Sequence, residues 1–508
     1  MLSYYQKNEL TILEGHPYQS DDRRYTCLFK GDIINEPVLR QQLIKTGRHF
    51  ETSRIEEVIL ALFLYSNDAF ATLFQGKFVI VIIDHQAHQI IAARDCFGIE
   101  NLYYKLIHEG IAFSSTLTPF KPDCFTFDMM DHAYLPHYFS EGYFIADQTH
   151  LAHIYHLPAG CLLKYDAKSG LDIGPFTHML AVVGSDFSVI DPQKCYDVIT
   201  ASIRDCTKPG DVLGLIYNQT PADFALIQTA KQAGNPLLLF QATFKNNPKT
   251  HSQIIHRQMT PDDYWESAID VTRILDLPLA DPQIPVDYLL GQLAQKKVDV
   301  ILATDGADLL FGKTSTFWEK IFGKKKFELF SETEKHAILK ISGDKLETWI
   351  ASYLAEITDL KQPFKQDTIA INTSLKKSTV FKTQIISDHI KKPVRYPFLD
   401  DKVMEMANFL TRDEKLDMAL FKKIFETKDA GLNWPMRKSD HQLPLAQWMR
   451  GELYDKIMAL FCEEVVSMVF KQEAIIKLLI KHRLGRRDFS EKIWAIVIFI
   501  FWMKNWVK

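Results

Sequence analysis

Residues 286–312 read VDYLLGQLAQKKVDVILATDGADLLFG, and this stretch predicts the fold of the part of the chain around it. VDYLLGQLAQKKV predicts a helix, and DVILAT predicts a short buried strand because it is a continuous apolar run. Asp305, Gly306, Ala307 and Asp308 follow directly, so a turn with two carboxylates comes at the carboxyl end of that strand. A helix that leads straight into a buried strand is typical of a parallel sheet with helical connections.

The residues before this stretch repeat the alternation of strand and helix. DVLGLIY (211–217) and PLLLFQATF (236–244) predict buried strands, and ADFALIQTAKQAG (222–234) predicts a helix that ends at a glycine. Beyond about residue 315 the pattern predicts mostly helices. Residues 186–508 are therefore expected to form an α/β domain with a parallel sheet and a helical C-terminal part.

The first third of the chain has a different pattern. RYTCLFKGDII (24–34) predicts a strand, and residues 36–47 and 53–66 have the spacing of two helices. Two hairpins follow, in 76–95 and in 101–115, each with apolar runs on both sides of a polar turn. Residues 1–185 are therefore expected to form an α+β domain in which strands pair antiparallel.

The composition of the 508 residues is that of a globular protein. Hydrophobic residues make up 47%, charged residues 24%, and the formal net charge is −4, so disorder, a disulfide scaffold and a nucleic-acid surface are not expected. Seven scattered cysteines without a C-x-x-C pair favour reduced thiols in the cytoplasm. The N-terminus has no signal-peptide pattern. The apolar run from Ile493 to Met503 is too short to span a membrane and is expected to be a buried helix.

Two loops that follow predicted strands carry polar residues, and ligands of a parallel sheet bind at that edge. They are Asn218–Asp223 and Asp305–Asp308. Two carboxylates around a Gly-Ala turn are suited to holding Mg²⁺ on a phosphate. They are equally suited to capping the next helix and interacting with its dipole, and the pattern alone leaves both interpretations open.

Three separated segments resemble, in the same order, motifs of the glutamine-dependent asparagine synthetase family. They are Gly31–Asn35 with an R-D-x-x-G-x-x-x-L-Y-Y signature at 94–104; LPLADPQIPVDYLL (277–290) with VILATDGADLLFGK (300–313); and VRYPFLD (394–400) with Arg437, Lys438 and PLAQWMRG (444–451). The similarity extends from about residue 24 to the C-terminus. It implies a truncated N-terminal-nucleophile-type antiparallel sandwich in residues 1–185, followed by an ATP-pyrophosphatase-like synthetase domain.

The resemblance also implies a reaction in two halves. In that family, a cysteine directly after the start Met hydrolyses glutamine to ammonia, and ATP with Mg²⁺ converts the aspartate side chain to an acyl-adenylate that ammonia attacks. The residues assigned by the resemblance are catalytic Asp305 and Lys438; cofactor-binding Asp308, Ala303, Thr304 and Tyr217; substrate-binding Gly31 and Asp32; and Mg²⁺-binding Asp305 and Asp308.

The glutaminase half departs from the family pattern. Position 2 is Leu rather than Cys, Lys30 replaces an Asn that would donate to the oxyanion, and Ile55 stands where an Asp would bind the glutamine amine. An apolar side chain cannot form a thioester. Cys27 lies in a predicted strand and is expected to be buried. Glutaminase activity is therefore not expected.

The loop that corresponds to the family's pyrophosphate-binding loop also departs from the family pattern. The family sequence Ser-Gly-Gly-Leu-Asp-Ser corresponds to Asn218–Asp223, in which Gln219 and Thr220 replace the glycines and Pro221 has no N–H to donate. Asp305, in contrast, matches the family pattern, as do Asp308 and Lys438.

Three hypotheses about function follow. The leading one, because both Leu2 and the loop 218–223 depart from the pattern, is a degenerate homologue that acts by binding a protein partner or a second copy of itself. The second is an ATP-dependent ligase that forms an amide with ammonia or another amine. The third is a complete glutamine-dependent asparagine synthetase. Neither nucleic acid nor a membrane span is expected.

Overall fold

The computed structural model describes most of the chain in two compact units. The described residues are 2–6, 9–14, 16–108, 110–130, 132, 135–144, 149–176, 191–244, 254–312, 329–340, 380–410, 414, 418–426 and 442–507. The first unit contains those up to residue 122 and 149–176, and the second contains 123–144 and those from 191 onward.

The strands and helices that apolar periodicity predicts are present, together with others that the pattern did not predict. The strands are β1 (Leu2–Gln6), β2 (Glu9–Glu14), β3 (Tyr18–Gln19), β4 (Tyr25–Ile33), β5 (Gly76–Asp84), β6 (Gln89–Arg94), β7 (Tyr103–Ile107), β8 (Gly110–Ser114), β9 (Tyr155–His156), β10 (Cys161–Asp166), β11 (Gly170–Pro175), β12 (Leu213–Ile216), β13 (Leu237–Thr243), β14 (Ile254–Gln258), β15 (Val300–Leu302) and β16 (Val394–Arg395). The helices are α1 (Glu36–Lys45), α2 (Ile55–Ser66), α3 (Leu135–Glu141), α4 (Pro192–Asp205), α5 (Pro221–Ala233), α6 (Pro261–Ile274), α7 (Ile284–Gln295), α8 (Ala307–Phe311), α9 (Glu332–Ile338), α10 (Val380–Ile390), α11 (Asp401–Asn408), α12 (Ala419–Glu426), α13 (Leu445–Arg450), α14 (Tyr454–Phe461), α15 (Gln472–Arg483) and α16 (Ser490–Trp506).

Two antiparallel sheets form the first unit, with strand orders β2-β1-β8-β7-β9 and β11-β10-β6-β5-β4-β3. Successive residues of β5 point to opposite faces of the sheet and pack into two different hydrophobic cores. Val79 and Val81 pack between the two sheets, whereas Ile80 and Ile82 pack against α1 and α2 on the other face. Because both faces of β5 are covered, its sequence is continuously apolar rather than alternating. The predicted hairpins and the antiparallel sandwich are confirmed.

The signature at 94–104 holds a buried loop in place. The Arg94 guanidinium donates to the carbonyl oxygens of Glu100 at 2.6 Å, Leu157 at 2.7 Å and Gly98 at 2.6 Å. Asp95 accepts three backbone N–H groups at 3.0 to 3.1 Å. Gly98 has a φ of 62°, and a Cβ there would lie 3.0 Å from the guanidinium carbon of Arg94. Arginine, aspartate and glycine are therefore required together by one loop conformation.

The second unit is built on a parallel sheet with the order β14-β13-β12-β15-β16. The helices α5 and α7 connect its strands, as the alternation in the sequence predicts. α5 ends at Gly234 in the left-handed conformation, with a φ of 75°, which is the expected stop signal. The predicted α/β architecture is confirmed.

Residues 123–144 belong to the second unit, although they precede the predicted boundary between residues 185 and 186. The aromatic side chains of α3 account for this placement. The Tyr138 hydroxyl donates to the Ala495 carbonyl of α16 at 2.9 Å. The ring of Phe139 lies 5.5 Å from that of Phe499, also on α16.

The last helix, α16, is buried on all sides. Every residue from Ile493 to Met503 is buried, and Trp494 and Trp502 are fully inaccessible. The indole nitrogen of Trp502 donates to the Asp276 carbonyl at 3.1 Å. A helix that is apolar all round needs such surroundings, and the expected buried helix is confirmed. Within the described ranges, no helix combines the length and the hydropathy that a membrane crossing requires.

Candidate functional site

The two polar loops of the second unit lie at the same edge of the parallel sheet. β12 and β15 are neighbours, and their register pairs Leu215 with Leu302. The loops that begin at Tyr217 and Ala303 therefore leave the sheet side by side, at the edge where α/β proteins bind ligands.

Within the first loop, the Asp223 carboxylate bonds to the backbone just before its own helix. Its Oδ2 accepts the N–H of Thr220 at 2.8 Å and that of Asn218 at 3.0 Å. The Thr220 hydroxyl in turn accepts the N–H of Asp223 at 3.2 Å. This reciprocal arrangement is a capping box at the start of α5. Two backbone donors that could face an anion are thus already bonded to a carboxylate.

The rest of the loop fits this role as a helix start. Pro221 is the first residue of α5 and has no N–H, a position in which proline is well tolerated. Gln219 has a φ of 59°, a left-handed conformation that costs a non-glycine residue about 1 kcal/mol or more.

The same local sequence starts α6, where Thr260, Pro261 and Asp263 form another capping box. There the Asp263 Oδ2 accepts the Thr260 N–H at 3.0 Å. This second Thr-Pro-x-Asp motif is the sequence signal that could have identified the capping box at residue 220. It shows that the motif recurs in this chain as the start of a helix.

Asp223 differs from Asp263 in its surroundings. Its side chain is completely buried, and Oδ1 has no hydrogen-bond partner. Burial, with a contribution from the charge of Asp308, raises the pKa of Asp223 to about 7 against the opposing hydrogen bonds. A contribution from Asp308 is expected, because the two loops leave neighbouring strands at the same edge of the sheet. Burial and the charge of Asp223 also raise the pKa of Tyr217 to about 12, so Tyr217 is a neutral phenol at the strand end.

The second loop keeps the backbone conformation that its glycine suggests. Gly306 has a φ of 90°, and a Cβ there would lie 2.5 Å from Leu399. The Ala307 N–H donates to the Thr304 carbonyl at 3.1 Å, and the Ala303 N–H donates to the Arg395 carbonyl at 3.0 Å. Ala303 and Thr304 thus contribute backbone groups to the sheet edge.

The aspartates of this loop were predicted either to bind Mg²⁺ or to cap a helix. The N-cap residue of α8 is Gly306, so neither aspartate is the N-cap, and Asp308 lies in the first helical turn, where a carboxylate interacts favourably with the helix dipole. Asp305 is half-buried and Asp308 is exposed. Lys438, the predicted catalytic lysine, lies outside the described residues.

The side chains of the site include possible ligands for a metal ion. Carboxylate oxygens are the ligands that Mg²⁺ prefers, and the buried Oδ1 of Asp223 is a candidate donor. Across the described part of the chain, however, no three side chains of His, Cys, Asp or Glu converge closely enough to hold an ion.

The predicted substrate-binding residues of the first unit lie beside a buried group of charges. Gly31 has a φ of 143°, and a Cβ there would lie 2.2 Å from the Lys77 carbonyl. Asp32 is paired in register with Lys77 on the neighbouring strand. The Glu100 carboxylate lies 2.9 Å from the Lys30 ammonium and 3.7 Å from that of Lys77.

The charges in this group stabilise one another. Burial alone would raise the pKa of Glu100, but the ammonium groups of Lys30 and Lys77 outweigh it and hold that pKa below its usual range. The residue that replaces the expected oxyanion donor is thus bonded to an internal carboxylate. Sequence reasoning identified Lys30 but missed Glu100 and Lys77, because the three come from separate segments.

Cys27 and Ile55 are structural residues. Cys27 is fully buried, and burial raises the pKa of its thiol well above the usual value. Ile55 packs against the same core under the sheet. The prediction that Cys27 is core is confirmed.

Comparison with known proteins agrees with the motif resemblance. The model of a glutamine amidotransferase domain matches residues 10–174, and that of the asparagine synthase family matches residues 248–507. The chain is 22% identical to asparagine synthetase [glutamine-hydrolyzing] 1 of Bacillus subtilis, over 96% of this chain and 87% of that protein. It is 23% identical to a putative asparagine synthetase [glutamine-hydrolyzing] of Mycobacterium bovis, over 96% of this chain and 86% of the relative. A probable asparagine synthetase of Dictyostelium discoideum is 34% identical over 25% of this chain and 22% of its own.

Proposed function

The chain belongs to the asparagine synthase family, and we propose that it is a divergent member that acts by binding rather than by amide transfer. The family binds ATP. The observation that carries the proposal is the Asp223 carboxylate, which accepts the N–H groups of Asn218 and Thr220. In the family that the chain resembles, the corresponding loop would enclose the pyrophosphate of ATP.

An internal carboxylate is a strong competitor of a phosphate. To bind there, a phosphate would have to displace hydrogen bonds that are already made, and it would meet a carboxyl group that is partly ionised at neutral pH. Pro221 supplies no replacement donor. A hydrogen bond to a charged group contributes ~1.5–3 kcal/mol, so losing two or three would cost ~3–9 kcal/mol, or roughly two to six decades of affinity.

The first unit supports the same proposal. The ammonium group of Lys30 is bonded to Glu100 at 2.9 Å, and Ile55 presents no carboxylate to a substrate amine. A binding role for this protein involves a protein partner or a second copy of the chain. A cytoplasmic location is part of the proposal, since none of the seven cysteines, all within the described residues, forms a disulfide.

A second function is favoured by one specific observation. Asp308 acts electrostatically on Asp223, so the two loops converge at one edge as an ATP-dependent ligase would require. Gly306 also keeps the left-handed conformation of the turn. The alternative is an enzyme that activates a carboxylate with ATP and forms an amide with ammonia or another amine.

Calorimetry with ATP and Mg²⁺ tests the proposal. The wild-type chain is expected to show no binding at physiological nucleotide concentrations. Restoring the loop with Asn218→Ser, Gln219→Gly, Thr220→Gly, Pro221→Leu, Ala222→Asp and Asp223→Ser should allow binding, because the backbone donors are released. Asp263→Ala, which removes the capping carboxylate of α6, is the matched control and should not allow it.

Two results would reject the binding role. One is tight ATP binding by the wild-type chain, and the other is release of pyrophosphate in the presence of aspartate and ammonium. Together they would establish the amide-forming ligase, with Asp305, Asp308 and Lys438 as the residues to substitute next.

A further inference from the structure

We propose that the exposed face of α15 and the turn after it dock an acidic amphipathic helix of a partner protein. This surface, the α15 patch, consists of Lys477, Ile480, Lys481, Arg483, Leu484, Arg486 and Arg487. The inference goes beyond the proposed function, and it stands whether or not the chain binds ATP.

The charge of this segment is opposite to that of the rest of the chain. Between Lys471 and Arg487 there are six Lys and Arg residues and one Glu, which gives a net charge of +5. The whole chain has a net charge of −4, so the remaining residues carry −9. A positive surface on an otherwise negative protein attracts acidic partners and keeps basic ones away.

The cations of the α15 patch are not neutralised by neighbouring side chains. Lys477 lies 3.6 Å from Glu473, but both side chains are highly exposed, so this pair contributes little. The buried imidazole of His482 lies 3.6 Å from the Asp488 carboxylate. Among the described residues, no carboxylate lies within ion-pair distance of the four exposed cations of this stretch, which are Lys481, Arg483, Arg486 and Arg487. Their charge is therefore available to a partner.

Two aliphatic side chains lie exposed among these cations. Ile480 is 42% exposed and Leu484 is 65% exposed. The Leu484 N–H donates to the Ile480 carbonyl at 3.1 Å, so the two residues are one helical turn apart on one side of α15. A helix that presents apolar residues at the same spacing, flanked by acidic ones, would cover both the aliphatic and the charged groups.

Two of the three arginines of the patch, Arg483 and Arg487, are held against aromatic rings before any partner arrives. The guanidinium carbon of Arg483 lies 3.9 Å from the ring centroid of Tyr454, and that of Arg487 lies 5.4 Å from the ring of Phe489. Stacking on a ring restricts the side chain and leaves N–H groups free to donate. Binding then loses less side-chain entropy.

Other anionic surfaces fit less well. Glu473 and Asp488 stand at the two ends of the patch, with side chains 90% and 59% exposed. A continuous anionic membrane would press its phosphates against both carboxylates, whereas a helix can present its glutamates only beside the cations. A nucleic-acid backbone offers no apolar group for Ile480 and Leu484. The geometry therefore favours a protein segment.

Fluorescence anisotropy with the full chain tests the inference. The probe is a labelled synthetic peptide of about 18 residues, long enough to form a helix, with leucines one turn apart and glutamates at the flanking positions. We expect saturable binding at about 0.15 M salt. Leu484→Ser, and separately Lys481→Glu with Arg486→Glu, should weaken it at least about tenfold, because both parts of the patch contribute.

Matched substitutions elsewhere separate the patch from general effects. Leu64→Ser changes an aliphatic side chain on α2 that is 49% exposed, and Lys168→Glu changes an exposed lysine between β10 and β11. Both variants should bind the peptide as the wild-type chain does. A peptide with lysines in place of the glutamates should not bind.

Two outcomes would overturn the inference. One is peptide binding that the patch substitutions leave unchanged. The other is tighter, patch-dependent binding to vesicles of phosphatidylglycerol and phosphatidylcholine, or to duplex DNA, than to the acidic peptide. Either result would assign a different role to this surface.

Discussion

Asp223 and Asp263 show how burial changes the behaviour of one motif. Both accept the N–H of a threonine three residues earlier, and both follow a proline at the first position of a helix. The hydrogen bonds with Thr260 lower the pKa of the partly exposed Asp263. The same bonds at Thr220 are outweighed at Asp223, where burial raises the pKa to about 7. Solvent access, which the local sequence does not encode, decides whether the pKa of the aspartate is raised or lowered.

This difference predicts opposite effects of pH on two amide substitutions. Above about pH 4 the unfolded chain releases the proton of Asp223 while the folded chain retains it up to about pH 7, so the wild-type free energy of unfolding falls over this range. Asp223→Asn removes this group, so the variant does not lose stability in this way. Its free energy of unfolding, relative to that of the wild-type chain, should therefore increase with pH by up to about 4 kcal/mol. Asp263→Asn should lose stability relative to wild type on going from acid to neutral pH. Urea unfolding at several pH values measures both, and equal slopes for the two variants would contradict the prediction.

The helix α16 contributes aromatic contacts to the core of the second unit. Its ring contacts reach three separate parts of the chain, with Tyr138 on α3, Tyr264 on α6 and Phe470 near α15 among the partners. Polar contacts at its ends add to them, such as that between Lys504 and Glu463 at 2.6 Å. Helices distant in sequence are thus held together by one central helix.

Truncating the largest fully buried side chains of α16 should destabilise the second unit. Trp502→Ala is expected to lower the free energy of unfolding by about 3–5 kcal/mol, because it leaves a cavity and removes the hydrogen bond to Asp276. Lys504→Ala, whose side chain is 42% exposed, should change it by less than about 1 kcal/mol. Circular dichroism during urea unfolding provides the measurement.

A related experiment removes residues 493–508 altogether. The apolar faces that cover α16 would then be open, and we expect insoluble protein. Soluble, folded protein after this deletion, or an unchanged midpoint for Trp502→Ala, would show that α16 is not part of the core.

For the chain as a whole, the two units carry different departures from the family pattern. In the first unit, Lys30 is bonded to Glu100. In the second, backbone donors are bonded to Asp223. In both of these places, an internal carboxylate accepts from groups that the resemblance would direct to a ligand. The proposed binding role depends on these two contacts.

Purified full-length chain incubated with glutamine should release no glutamate above the blank. The physical reasons are the bonded ammonium of Lys30, the apolar Ile55, and the buried Cys27, whose thiol has a strongly raised pKa and supplies no thiolate. Glutamate release is measured with a coupled dehydrogenase assay. Release that disappears on substitution of any one cysteine would contradict this prediction and identify a nucleophile.

The sequence predicted the elements of the fold better than the chemistry of its sites. Apolar runs and glycine stops located β5, β15 and α5, because these depend on neighbours along the chain. The bond between Lys30 and Glu100 could not be predicted, since it depends on how separate segments meet at one end of the sandwich. The capping role of Asp223 was available from the repeated Thr-Pro-x-Asp motif, but its burial and its unbonded Oδ1 depend on the packing of the whole sheet edge.

The central position of α16 has a consequence for biosynthesis. The described elements that contact it all precede it in the chain, so the ribosome makes them before their common partner exists. The second unit must therefore wait, with apolar surface exposed, until residues 490–506 have left the exit tunnel. The first unit can fold much earlier, as N-terminal domains commonly do during translation. Chaperones that protect nascent chains would thus be needed most by the later part of the polypeptide.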